Sequence, residues 1–229
     1  MKKIVALIAF LTLLMNGIFA QNELRFGFQV SPTFSWMSTD DNTVNKNGTN
    51  LGLKLGVISE YYFRENYAFV TGIGFAFNQG GTLLHEKGGK IWTRSELPID
   101  SDLPDGTNLK YDLQYVEIPF GLKLRSKELG YFRYFAEIPS FSLGFKSQAR
   151  GSIKGNGLDE SNIEIKKEVI SLFLSWGFGF GGEYSLSASS SLMFGLFYQR
   201  VFTDVTRDVA ADRSKAVINN ITARFALMF

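Results

Sequence analysis

Cysteine is absent from this 229-residue sequence, and histidine occurs once, as His85. The missing cysteine excludes disulfides, thiolate metal sites, cysteine nucleophiles and a lipid-modified N-terminal cysteine. A single histidine excludes a metal site built from several histidines. We therefore expect neither a metal site nor a cofactor.

The sequence also lacks an apolar run long enough to form an ordinary transmembrane helix. Its N-terminal apolar stretch, Ile4–Leu14, follows two lysines and precedes Gly17–Ala20, a pattern typical of an export signal. We predict a cleaved signal peptide over residues 1–20 and one domain over residues 21–229. A retained membrane anchor is the alternative interpretation of the same stretch.

A marked excess of one charge is missing as well. The whole chain carries 24 basic and 22 acidic residues, and removal of the two signal-peptide lysines would leave 22 of each. A net charge near zero gives no support to a nucleic-acid partner.

Phenylalanine and glycine are abundant, with 22 and 23 residues respectively. Apolar and polar residues alternate with a period of two in eight segments, which is the pattern of β-strands. On the fourth segment, for example, Ile118 and Phe120 alternate with Glu117 and Pro119. We predict strands at Leu24–Met37, Leu51–Phe63, Tyr67–Asn78, Tyr111–Arg125, Tyr131–Lys146, Val169–Tyr184, Ser191–Phe202 and Val217–Phe229.

A soluble β-sandwich and a membrane barrel would both show such alternation, and three features favour the barrel. The segments, at about 10–15 residues, exceed the ~5–6 of soluble strands and cover the ~9–11 needed to cross a bilayer. Glycine and serine crowd the polar faces, as the narrow interior of a small barrel requires. Aromatic residues lie near the strand ends, where membrane interfaces are located.

Connection lengths support the same conclusion, because long and short connections alternate strictly. This is typical of an even-stranded outer-membrane barrel with short periplasmic turns and long extracellular loops. We predict an all-β fold, an eight-stranded antiparallel up-and-down transmembrane β-barrel, monomeric, surrounded by outer-membrane lipid and with both termini periplasmic. The long connections are Ser38–Asn50, Gln79–Lys110, Ser147–Glu168 and Thr203–Ala216, and the short ones are Arg64–Asn66, Ser126–Gly130 and Ser185–Ser190.

A Glu-Ile-Pro triplet occurs twice, at Glu117–Pro119 and Glu137–Pro139. A hairpin centred on Glu128 would place Glu117 opposite Pro139, with the isoleucines facing lipid and the carboxylates facing the lumen. The alternation on the fifth strand also changes phase near Pro139, which predicts a β-bulge there.

Two carboxylates in a narrow lumen require cationic partners. Glu117 and Arg224 both lie mid-strand, so we expect that they could meet across the lumen. We interpret the charges as a structural network that fills the barrel, with an acid/base pair or a proton path as the alternative. The network comprises Arg25, Lys54, Glu60, Glu117, Lys123, Arg125, Arg133, Glu137 and Arg224.

The stretch Leu113–Phe132 resembles the central motif of the PorT-like outer-membrane β-barrel proteins of Bacteroidetes. That motif is a Tyr-hydrophobic-Glu-hydrophobic-Pro strand followed by a short turn, which Tyr115–Pro119 and Gly130-Tyr131 match. The resemblance implies an eight-stranded outer-membrane barrel, and the family's namesake takes part in type IX protein secretion. Glu137–Pro139 is not part of the family pattern, and the resemblance supplies no catalytic residues.

The first functional hypothesis is a non-enzymatic barrel that acts through its loops as a scaffold, adhesin or secretion-accessory protein. Its partners would be secretion-system or cell-surface proteins, and the long Gln79–Lys110 connection is the candidate contact loop. One alternative is a small barrel enzyme acting on outer-membrane lipids, in which His85 would work with Glu86 or Ser95. A narrow pore is the other, although eight strands leave an interior filled by side chains.

Overall fold

The computed structural model describes residues 23–97, 102–207 and 215–229. The predicted signal peptide over residues 1–20 lies outside these ranges. Within them, no helix is long and apolar enough to cross a membrane. The described chain forms nine strands: β1 (Glu23–Thr39), β2 (Val44–Arg64), β3 (Tyr67–His85), β4 (Thr107–Arg125), β5 (Phe132–Gly155), β6 (Leu158–Glu164), β7 (Leu172–Ser185), β8 (Ser191–Val201) and β9 (Ala216–Met228).

Eight of these strands form a closed antiparallel ring. Neighbouring strands pair in sequence from β1 to β5, then β5 with β7, β7 with β8 and β8 with β9, and β9 pairs back onto β1. Closure leaves none of the eight with an unpaired edge in the membrane, which lipid requires. The predicted eight-stranded antiparallel barrel is confirmed. The ninth strand, β6, lies outside the ring and pairs only with the end of β5.

Four strands, β2 to β5, extend well beyond their predicted bounds at the end of the barrel that carries the long connections. We call this the loop end, and the opposite end the turn end. There β2 begins at Val44, β3 continues to His85, β4 begins at Thr107 and β5 continues to Gly155. Parts of the predicted loops Ser38–Asn50, Gln79–Lys110 and Ser147–Glu168 are therefore strand, and those boundaries were wrong.

A reversal of side-chain polarity along β4 explains the error. In its lower part, Ile118 and Phe120 are exposed on the outside while Glu117 and Lys123 are buried inside. Above Val116 the pattern inverts, because the buried interior residues become apolar and the outer positions become polar. The buried apolar positions of this upper part are Leu109, Tyr111, Leu113 and Tyr115, and the outer ones are Asn108, Lys110, Asp112 and Gln114.

The same reversal occurs at the same height on β5. Phe145 is the last exposed apolar residue of that strand, and it pairs with Val116 across the β4–β5 ladder. Beyond Lys146 the outer positions of β5 are polar. The lower part is thus built for lipid outside and a polar lumen, and the upper part for water outside and an apolar core.

Exposed aromatic side chains mark the turn end. Tyr67, Tyr131 and Tyr184 are 41%, 69% and 46% exposed, and the last two rings lie 6.3 Å apart. Their position matches that of the aromatic girdle of membrane barrels at a bilayer interface.

Candidate functional site in the barrel lumen

The lumen contains two layers of charged side chains, and the layer nearer the turn end is the more deeply buried. We call it the lower cluster, made of Arg25, Glu60, Lys123, Arg125 and Glu183. The ammonium of Lys123 donates to Glu60 Oε1 at 2.6 Å and also contacts Glu183 Oε1. Both carboxylates are fully buried, and Lys123 is 1% exposed.

The arginines complete the lower cluster. Arg25 donates to Glu183 Oε2 at 3.2 Å and lies 3.9 Å from Glu60, while Arg125 lies 3.9 Å from Glu183. Tyr62 donates its hydroxyl to Glu60 Oε2 at 2.8 Å. Three cations thus surround two carboxylates, which satisfies acids that would otherwise be costly to bury.

The second layer, the upper cluster, holds both glutamates of the repeated triplet. Lys54 donates to Glu117 Oε2 at 2.8 Å and to Gln199 Oε1 at 2.7 Å. On the other side of the lumen Arg224 donates to Glu137 Oε2 at 2.8 Å, and its guanidinium lies 3.6 Å from the ring centroid of Phe197. Each carboxylate of this layer therefore has its own cation.

The hairpin register predicted for the two triplets was wrong. Glu117 lies opposite Gly144, and Glu137 lies opposite Lys123, so the two carboxylates do not face each other. The turn extends further than a hairpin centred on Glu128 allows, since the backbone N–H of Ser126 donates to the carbonyl of Tyr134. A register shift between Gly121 and Lys123 displaces the pairing again.

The predicted bulge near Pro139 is confirmed, because the β5–β7 register shifts between Glu137 and Ser140. At this bulge the hydroxyl of Ser140 donates to Glu137 Oε1 at 2.7 Å. The bulge therefore places the Ser140 hydroxyl where it can donate to Glu137, the carboxylate that also binds Arg224.

Two expectations for individual residues need correction. Arg133 does not join the lumen network, because its guanidinium binds Glu128 in the β4–β5 turn and is partly exposed. Glu117 meets Lys54 rather than Arg224, since Arg224 binds Glu137.

Glu183 belongs to the centre of the lower cluster and was missed. It has the same parity as Ser175, Gly177, Gly179 and Gly181, which the sequence analysis would assign to the lumen face of this strand. The alternation alone therefore places Glu183 on the lumen face, and the prediction omitted it although it lies within the predicted strand.

A small polar cavity lies beside the upper cluster. Its volume is about 50 Å³, and its lining includes Ser31, Lys54, Glu117, Thr222 and Arg224. The hydroxyl of Ser31 is buried and has no hydrogen-bond partner within the described residues. A space of this size has room for a few water molecules but for no larger solute.

Above the upper cluster the interior is filled by an apolar core. Trp92, from the connection between β3 and β4, folds inward and is 3% exposed. Its indole donates to the Tyr111 hydroxyl at 3.0 Å, and its ring occupies the space over Gly151, where a Cβ would come within 2.4 Å. The buried members of this core include Met37, Leu83, Leu109, Leu113, Ile153, Ile165, Val169, Phe173 and Ile218.

The residues considered for a lipid-modifying enzyme lie at the loop end. His85 is buried at the end of β3, near the charge of Asp41. Glu86 accepts a hydrogen bond from the Asn45 amide at 2.7 Å. The hydroxyl of Ser95 is buried without a hydrogen-bond partner in the described part of the chain.

The hydrogen bonds that Asp41 accepts from the Thr43 backbone N–H and hydroxyl hold the pKa of its carboxyl below the usual range. They stabilise the tight connection between β1 and β2 by satisfying its backbone donors. Across the described residues, no group of three or more His, Asp or Glu side chains is placed to hold a metal ion.

Comparison with solved structures finds small outer-membrane proteins at low sequence identity. Neisserial surface protein A is 10% identical, with a TM-score of 0.46 over 90% of this chain and 97% of that one. Ail of Yersinia pestis is 12% identical, with a TM-score of 0.42 over 90% of this chain and 99% of that one. OprG from Pseudomonas aeruginosa is 10% identical, with a TM-score of 0.42 over 92% and 96%.

A search of curated proteins gives no match. A family match covers most of the chain, since residues 19–207 fit the outer membrane protein beta-barrel domain. Together with the closed ring of eight strands and its exposed apolar belt, this places the protein in the outer membrane. The chain belongs to the outer membrane protein beta-barrel domain family.

Proposed function

We propose that this protein is a closed, non-enzymatic outer-membrane barrel that presents its loop end to the cell exterior as a binding platform for another protein. The observation that carries the proposal is the filled interior. Two layers of paired charges occupy the lumen, and the apolar core around Trp92 closes it above them. In such a barrel the interior side chains stabilise the fold and leave no channel for solutes. The exposed loop end is then the surface available for binding.

Closure is testable by electrical recording. The cavity beside the upper cluster has a volume of only about 50 Å³, and Lys54 and Arg224 are each held in an ion pair. We expect no stable conductance step when the purified protein is inserted into a planar bilayer in 1 M KCl. Reproducible steps of single-channel size would favour the narrow pore instead.

Described residues of one loop-end connection are fixed against the barrel and border a groove. The connection between β3 and β4 is pinned by Trp92 in the core and by a bridge between Gly89 and Leu103. A groove of about 420 Å³ lies between this connection and the segment after β6. It is lined by Arg94, Ser95, Glu96, Glu164, Lys166 and Lys167, so charges of both signs border it. Mixed charge in a pre-formed surface suits a protein partner with complementary charges.

The resemblance to the PorT-like proteins supports a secretion-accessory role as the specific form of this proposal. The matching residues themselves build the barrel, since Glu117 binds Lys54 and the Tyr115 ring packs 4.7 Å from the ring of Phe173. The motif therefore explains a shared fold, and the partner has to be found by experiment.

The decisive experiment is affinity purification from gently solubilised outer membranes after mild crosslinking. We expect wild type to retain a protein partner, and the charge-reversal variant E96K/K167E to lose it. The matched control is K110E, an exposed change on the outer face of β4 outside the groove. Equal recovery of the partner with E96K/K167E would exclude the groove, and a secretion-system component in the eluate would identify the role.

A lipid-modifying enzyme is less well supported. A serine nucleophile needs a base within hydrogen-bond reach, and the Ser95 hydroxyl has no partner among the described residues. We expect mass spectra of outer-membrane lipids to be the same with and without the gene. A lipid species that depends on the gene and disappears in S95A would contradict a non-enzymatic role.

A further inference from the structure

One side of the barrel carries a group of cations at the level where the outer surface changes from apolar to polar. Phe145, Leu172 and Phe202 are the last exposed apolar residues on this side, at 46%, 50% and 37% exposure. Phe145 and Leu172 are paired neighbours, and the backbone N–H of Phe202 donates to the carbonyl of Leu174. These residues define the upper limit of the lipid-facing belt on this wall.

Three cations follow at once above this limit. Lys146 comes directly after Phe145, and its ammonium donates to the carbonyls of Lys166 and Val169. Its ammonium lies within electrostatic range of Lys166 and Arg207. The backbone N–H of Arg207 donates to the carbonyl of Glu168, which fixes its position beside the same segment.

Lys166 and Arg207 each repel the Lys146 ammonium, and no carboxylate of the described residues forms an ion pair with any of the three cations. This contrasts with the lumen, where every cation of the upper cluster has a carboxylate. Lys166 and Arg207 are also exposed. Among the described residues this group is uncompensated, and such a group attracts an anion; phosphate is suited to both lysine and arginine.

We propose that Lys146, Lys166 and Arg207 bind the phosphate of a lipid headgroup in the outer leaflet. The proposal rests on the orientation given under the proposed function, in which the loop end is extracellular. Lipid is the occupant because Phe145 and Leu172 lie immediately below, where acyl chains would contact them. A headgroup bound here would also hold the segment between β6 and β7, since Lys146 and Arg207 both bind its backbone.

The test uses the protein in phosphatidylcholine vesicles containing spin-labelled phosphatidic acid or spin-labelled phosphatidylcholine. Electron paramagnetic resonance gives the fraction of each labelled lipid that is immobilised at the protein surface. We expect wild type to prefer phosphatidic acid by at least about fivefold, the effect of one well-placed cation near the surface. The double variant K166Q/R207Q should lower that preference to about one, and it leaves Lys146 and its backbone contacts in place.

The matched control is K87Q/K90Q, which removes the same charge from the exposed connection between β3 and β4 and should keep the preference. An equal affinity of wild type for the two lipids, or an unchanged preference in K166Q/R207Q, would overturn the proposal. Loss of the preference on adding inorganic phosphate, but not chloride of equal ionic strength, would assign the site to free phosphate instead. Conductance measured on the same vesicles reports on barrel closure separately, so the two proposals can fail independently.

Discussion

Replacing Lys123 with methionine should destabilise the barrel strongly, because this lysine is the cation shared by two buried carboxylates. Its ammonium lies 2.6 Å from Glu60 and in contact with Glu183, and all three side chains are almost completely buried. Methionine has a similar length and no charge, so the change removes the ion pairs with little loss of volume.

The magnitude follows from what remains around the carboxylates. Without Lys123, Glu60 retains the Tyr62 hydroxyl at 2.8 Å and Arg25 at 3.9 Å, and Glu183 retains Arg25 at 3.2 Å and Arg125 at 3.9 Å. Of these four contacts only the Tyr62–Glu60 and Arg25–Glu183 hydrogen bonds are short, so both acids lose their closest cation. Removing one partner of a buried ion pair costs about 3–5 kcal/mol, and we expect K123M to lower the free energy of unfolding by that amount.

The assay is urea unfolding in detergent micelles, followed by tryptophan fluorescence and by heat-modifiable migration on gels. The control is K110M, which removes an exposed lysine from the same strand and should stay within about 0.5 kcal/mol of wild type. The double variant K123M/E60Q should be more stable than K123M, because it also removes a carboxylate that has lost its cation. A cost below 1 kcal/mol for K123M, or no recovery in the double variant, would refute the assignment of the lower cluster as the electrostatic core.

Two further predictions concern packing. Gly177→Ala should lower the free energy of unfolding by about 1–3 kcal/mol in the same assay, because its Cβ would lie 2.0 Å from the carbonyl oxygen of Tyr198. Gly74→Ala should be close to neutral, because its Cβ would lie 3.6 Å from its nearest neighbour; equal effects of the two substitutions would contradict this difference in packing. Trp92→Ala should lower the free energy of unfolding by about 3–5 kcal/mol, because it empties part of the loop-end core. It should also speed protease cleavage within residues 86–106 while the barrel stays resistant. An unchanged cleavage rate would show that the indole does not hold this connection in place.

The alternation of large apolar with small polar residues was enough to predict the barrel, because lipid outside and a crowded lumen inside impose opposite demands on the two faces. The same alternation did not predict the part of β4 above Val116, because the outer positions Lys110 and Asp112 are polar there. A search for strands with an apolar outer face therefore assigns this part to a loop. Apolar interior positions such as Leu109 and Leu113 were the signal that strand continued.

The alternation of residues along each strand was enough to place most of the lumen charges on the inner face. It was not enough to predict which charged side chains form ion pairs with each other. Partner choice depends on register, and register depends on turn geometry and bulges that alternation does not encode. The turn between β4 and β5 already places Glu137 opposite Lys123, and the shift between Gly121 and Lys123 then places Glu117 opposite Gly144. Glu183 was within reach of the same parity argument, since it continues the run of Gly177 and Gly179.

The continuity of β2 to β5 through the polarity reversal has a consequence for how the loop end can change during evolution. The lower halves of these strands are held in register by the closed ring, so the upper halves emerge already aligned. Their pairing costs little additional loop-closure entropy, because each strand end is already beside its neighbour. The outer residues of the upper sheet can therefore change during evolution without loss of the fold, because the membrane-embedded half fixes the strand alignment.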